Sequence, residues 1–225
     1  MSNNRSKFVL QTQKECGKMK IIEPYVEFAE PIDGDAILKH LELCGRVCYK
    51  SENKIAEGSA EQFLANIIKR GHEAVLEHCS ITVRFVCDRG VSHEIVRHRL
   101  ASYCMESQRY CNYGKDKFGG DITFIKPLFV EEGTDEYYYW SCACKSAEEA
   151  YFMLLEKGCK PEEARSVLPN SVKTELVMTA NIREWRHFLK LRTSPAAHPE
   201  MRRLANQLLD AFKLVIPVLF DDIKP

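Results

Sequence analysis

From Met19 onward, the spacing of apolar and polar residues changes period several times along the chain. Residues 19 to 28 read as a strand. From Asp33, the apolar positions Ile37, Leu38, Leu41, Cys44 and Cys48 recur at helical spacing, and a second helix is expected from Ser59 to Arg70, ended by Gly71. Beyond it, Ile81, Val83, Phe85 and Cys87 alternate with Ser80, Thr82, Arg84 and Val86, the period of a half-buried strand. Another helix is expected to open near Ser92.

Further along, 121 to 125 reads as a strand, 134 to 157 as a long helix rich in aromatics, and 161 to 168 as a short helix with Pro161 at its start. Residues 172 to 179 suit a strand, followed by helices from Asn181 to Leu191 and from Pro199 into the apolar tail. No strand-helix-strand cadence repeats, so the order predicts an α+β fold and not a doubly wound parallel sheet. No internal repeat or interdomain linker interrupts residues 19–225, which are expected to form a single domain. Residues 1–18 are polar, with four basic residues against one acid, and read as a flexible N-terminal extension.

With 225 residues and 45% hydrophobic content, the chain is long enough to bury a core. Its 32 basic and 32 acidic residues cancel, so no overall field recruits nucleic acid or an anionic membrane, and an anion site must be local. The ten cysteines show no Cys-x-x-Cys pair, and no stretch resembles a signal peptide or a membrane span. They read as small packing residues in a reducing cytoplasm.

Charge concentrates in Ser92-His93-Glu94 and Arg97-His98-Arg99, then Ser102, Ser107 and Arg109. On a helix, consecutive side chains diverge by about 100°. Arg97, His98 and Arg99 must therefore serve different partners, unless the helix ends there. Guanidinium forks suit phosphate oxygens, and a serine hydroxyl beside an arginine adds a donor to the same cradle, which fits Ser107 and Arg109. A solvated or salt-bridged face would account for the same charges.

Two histidine clusters evoke a zinc helix: His93 with His98, and His72 with His78. Their spacings of five and six differ from the four that places two histidines on one helical face, so no metal is expected. The chain also has no Gly-x-Gly-x-x-Gly after a strand and no Gly-Lys-Ser or Gly-Lys-Thr, so any dinucleotide must be held by side chains.

Arg97-His98-Arg99, seven intervening residues and Ser107-Gln108-Arg109-Tyr110 resemble the signature of the flavin-dependent thymidylate synthase family. Three further segments agree in order: Gly71-His72-Glu73 with Glu77-His78, Ala164 to Pro169, and Asn181-Ile182-Arg183 continuing through Leu191-Arg192. The resemblance implies a central, mostly antiparallel sheet flanked by helices. It also implies reductive methylation of dUMP to dTMP, with methylenetetrahydrofolate as carbon donor and FAD, reduced by NADPH, as hydride carrier. Homotetramers with shared active sites are usual in this family.

Carried over position by position, the resemblance assigns the dUMP phosphate to Ser107 and Arg109 with help from Arg165. Glu94, Arg97, Met105, Glu106 and Gln108 would line the same nucleotide. FAD would touch Ala74, Glu77, Arg97, His98, Arg99, Asn181, Arg183 and His187. Arg192 matches the arginine that activates dUMP. Its guanidinium, always protonated and a donor only, cannot be an ordinary base, and would act by stabilising negative charge on the pyrimidine.

No Pro-Cys pair marks a nucleophile, so Cys104 and Cys111 read as packing residues. Glu94 departs from the pattern, standing where glutamine is frequent, as do Met105 and His198. Folate contacts by His72 or His198 stay open, and His78 and the Tyr137-Tyr138-Tyr139-Trp140 run read as packing. A nucleotide- or RNA-binding module without redox turnover is the reading of a different class; zero net charge and the lack of a basic-aromatic RNA motif count against it.

Overall fold

The computed structural model describes residues 19–114 and 120–225; the N-terminal extension expected at residues 1–18 lies outside them. Its centre is an antiparallel sheet of four strands in the order β2-β3-β6-β4: β2 (Tyr25–Phe28), β3 (Ser80–Asp88), β6 (Lys173–Asn181) and β4 (Ala101–Met105). A separate two-stranded parallel ladder joins β1 (Lys20–Ile22) to β5 (Thr123–Ile125). This is the expected α+β architecture with a mostly antiparallel sheet.

Strands β3 and β6 form the spine, in register from Ser80↔Asn181 to Asp88↔Lys173. Ile81, Val83, Phe85 and Cys87 on β3, with Leu176, Met178 and Ala180 on β6, turn to one face and are almost wholly buried. Helices α1 (Gly34–Tyr49), α2 (Ser59–Lys69), α6 (Ile182–Arg192) and α7 (Pro199–Val215) cover that face and complete the main core through Leu41, Leu64, Trp185, Phe188, Leu204 and Phe212. The opposite face carries a charged row in which Arg84 links Glu27, at 2.5 Å, to Glu175, at 2.6 Å. A second cluster, with Phe124, Tyr151 and Val172, lies under α4 (Asp135–Glu156).

Several boundaries differ from the sequence expectation. The single strand at 19 to 28 is two, because Glu23-Pro24 breaks it: β1 pairs with β5, and β2 with β3. Helix α3 (Arg89–Ile95) opens before Ser92, since Asp88 caps it by accepting from the Val91 N–H at 2.9 Å. The helix expected from 161 to 168 is α5 (Pro161–Ala164) followed by a 3-10 turn (Arg165–Val167), and Pro217 divides the tail into α7 and α8 (Pro217–Phe220). Strand β4 was hidden in the charged cluster; it is short, and its pairing with β6 is what makes it a strand.

In the aromatic run of α4, Trp140 donates to Ser171 Oγ at 3.0 Å beside the second cluster, whereas Tyr139 is exposed. Among the described residues, Cys44, Cys48, Cys79, Cys87, Cys104 and Cys159 are free thiols; Cys87 is buried, whereas Cys48 and Cys104 are exposed and not packed as expected. Among the described residues, no helix is long and apolar enough to cross a membrane.

Candidate active site

Two antiparallel strands and the helices that leave them assemble the site. From Asp88, α3 runs back toward the Asn181 end of the sheet, where β4 begins with Ala101 opposite Ala180. Arg97, His98 and Arg99 occupy the turn between α3 and β4, so the helix ends where they begin. The hydroxyl of Tyr103 pins this turn, 2.5 Å from the His98 carbonyl and 3.1 Å from that of Ile95. Released from helical geometry, Arg97 and Arg99 are exposed while His98 is buried between them.

Helix α6 starts where β6 ends, with Asn181 as its cap, accepting from the Glu184 N–H at 2.9 Å. Its exposed side presents Arg183, His187 and Lys190 and ends at Arg192, and its inner side fills the core with Trp185, Phe188 and Leu189. The 3-10 turn Glu73–His78 faces it: Glu77 pairs with Arg183 at 2.5 Å. Glu73 lies within 3.9 Å of Arg183, 3.6 Å of Arg186 and 3.7 Å of Lys190.

Between these elements lies a cleft of about 910 Å³, near the upper end of the usual range for small-molecule sites. Arg97, Arg99, Arg183, Lys190 and Arg192 line it against the carboxylates of Glu73, Glu77 and Glu184, an excess of two basic groups. That balance suits an elongated ligand with two phosphates, and the exposed guanidinium groups of Arg97 and Arg99 have no carboxylate partner among the described residues. Of the residues expected to meet FAD, Glu77, Arg97, His98, Arg99, Asn181, Arg183 and His187 all line the cleft. Ala74 is exposed on the turn between Glu73 and Glu77.

Arg192 is held by all three nitrogens of its guanidinium. Nε donates to His98 Nε2 at 3.0 Å, and the two terminal nitrogens donate to Glu94 Oε2 at 2.9 Å and to the Glu94 carbonyl at 3.1 Å. Burial, with Arg192 and then His187 nearby, pushes the His98 pKa down to about 4. His98 is therefore neutral at physiological pH, and Nε2 is free to accept.

Glu94 also borders a smaller cavity of about 320 Å³ lined by Asp88, Leu128, Phe129, His198 and Glu200, so the Arg192–Glu94 pair separates the two spaces. Glu200 Oε1 accepts from the Leu128 N–H at 2.5 Å, and burial raises its pKa. His72 is outside the cleft lining and lies 2.7 Å from the Tyr49 hydroxyl through Nδ1.

The residues expected to hold the nucleotide phosphate sit elsewhere. Met105, Glu106, Ser107 and Arg109 follow the far end of β4. Arg109 is exposed and lies 3.5 Å from Glu162 on α5, whose continuation carries Arg165. Glu106 is occupied by the Tyr113 hydroxyl at 2.7 Å and by Lys173 at 3.0 Å, while Gln108 is buried. Strand β4 spans four residue steps, about 13 Å, and Arg99 and Ser107 lie two residues beyond its opposite ends. Within one chain, the expected dUMP residues are thus split: Glu94, Arg97 and Arg192 at one end of β4, and Ser107, Arg109 and Arg165 at the other.

Sequence reasoning missed Leu100, Glu184 and Lys190, and placed Glu73 and Leu191 within matching segments without giving them a role; all five also line the cleft. The ligand atoms of Glu184, His98 and His187 lie within 4.8 Å of one another. The pair Asn181 and Glu184 has the spacing of a helix cap, which signals a structural role and hides its proximity to His98.

The model of the thymidylate synthase complementing protein family matches residues 35–218. The chain belongs to this family. A flavin-dependent thymidylate synthase of Geobacter sulfurreducens is 36% identical over 190 residues, covering 81% of this chain and 80% of the relative. The flavin-dependent thymidylate synthase of Pyrococcus furiosus is 33% identical over 177 residues, covering 78% and 70%. Among solved structures, the UMP/dUMP methylase PolB from Streptomyces cacaoi, bound with 5-Br dUMP, superposes with a TM-score of 0.73 at 26% identity, covering 90% of this chain and 96% of that one. The family match spans every element that lines the cleft, from the 3-10 turn Glu73–His78 to α6.

Proposed function

We propose that the protein is a flavin-dependent thymidylate synthase that methylates dUMP, with residues 19–225 acting as one catalytic unit. The observation that carries this reading is Arg192, fixed by His98 and Glu94 at the wall of a cationic cleft of dinucleotide size. The methylene carbon of methylenetetrahydrofolate passes to C5 of dUMP and is reduced to methyl, giving dTMP and tetrahydrofolate while NADPH is oxidised to NADP⁺. FAD, when bound, supplies the hydride chemistry that no side chain provides.

In this reading Arg97, Arg99 and Arg183 hold the FAD phosphates, with Glu77, Asn181 and His187 beside them and Ala74 at the rim. Arg192 donates to the pyrimidine, stabilising the negative charge that makes C5 nucleophilic. Ser107, Arg109 and Arg165 bind the dUMP phosphate, supported by Glu94, Arg97 and the backbone from Met105 to Gln108. The split of these residues between the two ends of β4 favours an assembly in which the phosphate cradle of one copy faces Arg97 and Arg192 of another. A homotetramer with shared sites provides this, in the cytoplasm where the free thiols persist.

The test is the anaerobic visible spectrum of the purified protein with FAD, before and after NADPH and with and without dUMP, followed by a dTMP assay. An oxidised-flavin spectrum, bleached by NADPH and altered by dUMP, is expected. Arg192→Ala is expected to lower dTMP formation by about 100-fold or more, the scale of losing one charge-stabilising donor, with flavin content retained. Protein that binds no flavin, or an equal loss of flavin and turnover in the variant, refutes the assignment.

A further inference from the structure

We propose that Glu184 is a positioning residue that sets the tautomer of His98 and, through it, the orientation of the Arg192 guanidinium. The inference rests on the role given to Arg192 above.

Arg192 is a donor only, and its Nε meets His98 Nε2 at 3.0 Å. His98 Nε2 must therefore be the unprotonated nitrogen, which leaves the single ring proton on Nδ1. That nitrogen faces Glu184 Oε1 at 3.4 Å, with both side chains more than nine-tenths buried. A histidine ring nitrogen is fixed by the partner of the other one, and here the partner is an acceptor aimed at the required proton. His98 is also gripped from the side, its ring 4.7 Å from that of Phe188, so rotation of the imidazole is hindered while proton relocation is not.

The placement of Glu184 is unusual for its position in the helix. A glutamate at the third residue of a helix commonly turns back to the backbone N–H of the capping residue. Asn181 caps α6 through Glu184's own N–H, but the Glu184 side chain points into the cleft floor between His98 and His187. Burial raises its pKa, and no lysine or arginine among the described residues lies within ion-pair distance of it. A carboxylate taken out of water without a cation is costly unless something else uses it. Orienting His98 is that use. Without Glu184, the ring is free to carry its proton on Nε2, which sets an N–H against the Nε–H of Arg192 and leaves the guanidinium on Glu94 alone.

Glu184→Ala and Glu184→Gln in the full chain test this with two separate readouts. The first is the ¹⁵N spectrum of the histidine rings in flavin-free protein, with His98 assigned by its loss in His98→Asn. Wild type is expected to show the Nδ1–H form, Glu184→Ala a mixture or the Nε2–H form, and Glu184→Gln, whose amide oxygen still accepts, the wild-type pattern. The second is steady-state kinetics: in Glu184→Ala, kcat for dTMP is expected to fall by about 10- to 100-fold, by analogy with metal-bound histidines that lose the partner orienting them. FAD content and KM for dUMP should stay within about threefold, and Glu184→Gln should recover most of kcat, a rescue that loss of packing would not show. If Glu184→Ala does not fold, Glu184→Leu, closer in volume, takes its place. An unchanged tautomer in the variant, or an unchanged kcat, overturns the proposal. A wild-type protein that makes no dTMP refutes the proposed function instead, and the ring spectrum still decides what Glu184 does.

Discussion

Replacing Asp222 with alanine strips the partner from the most deeply buried cation of the described residues. Arg186 on α6 is 1% exposed and donates to both Asp222 oxygens at 2.7 Å and to the Leu219 carbonyl, tying the end of the chain to the helix that carries the site. Removing one partner of a buried pair costs about 3–5 kcal/mol, because the remaining charge is left uncompensated. Here the figure is reduced: the Asp222 side chain is 46% exposed, so water screens the pair, and Glu73 stays 3.6 Å from Arg186. A loss of about 2–3 kcal/mol remains. For a chain of this length, 1 kcal/mol moves Tm by about 2–4 °C, so Asp222→Ala should lower Tm by about 4–12 °C in scanning calorimetry. The pH dependence has a definite sign. Hydrogen bonds from Arg186 hold the Asp222 carboxyl below its ordinary value of 3.8, so the pair stabilises the fold fully above that value and progressively less as pH falls toward the folded one. The gap between wild type and variant should be constant above pH ~5 and close below pH ~4. A Tm loss under about 1 °C at pH 7, or a gap that persists unchanged at pH 3, would falsify the reasoning.

The His98 ring, with its pKa pushed down to about 4 by burial, Arg192 and His187, should show no titration between pH 5 and 8 when followed by NMR; a midpoint near 6.5 would mean that its environment is solvated. Arg109→Ala should raise KM for dUMP by about 10-fold or more, the loss of one charge-assisted phosphate contact, while FAD content is preserved. An unaltered KM removes Arg109 from the phosphate cradle. In thiol titration of the native protein, Cys48 and Cys104 should react first, whereas Cys87, whose pKa is raised to about 12 by burial and then by Asp88, should react only on unfolding.

Much of this molecule is written locally. The alternation of Ile81, Val83, Phe85 and Cys87 specifies a one-sided strand wherever it lies, and the spacing of Leu38 and Leu41 specifies an amphipathic helix. The end of α3 was one of two alternatives left open by the sequence, since three adjacent ionisable residues cannot share one ligand from a regular helix, and the turn at Arg97–Arg99 decides between them. Strand β4 was not legible, because five residues of mixed polarity on a sheet edge have no strong period, and only β6 alongside makes them a strand. The break at Glu23-Pro24 was obscured because both flanking segments are extended and differ only in their partners.

The chemistry divides along the same line. Which residues carry charge, which motif they form and which family they resemble depend on identity and order along the chain, so the sequence by itself determined Arg97, His98, Arg99, Ser107, Arg109, Arg165 and Arg192 as candidates. Which of them meet was decided by tertiary structure. Glu94 and Arg192 are 98 residues apart and become partners because α3 folds back along β3 to meet the end of α6. Ser107 and Arg97 are near in sequence but are held apart by the rigid length of β4. Glu184, which looks like an ordinary cap residue in the chain, becomes the acid facing His98 only after the helix is docked. Local periodicity encodes elements because neighbours along the chain share one backbone geometry. Contacts across the fold depend on how elements pack, and no short stretch of sequence contains both partners.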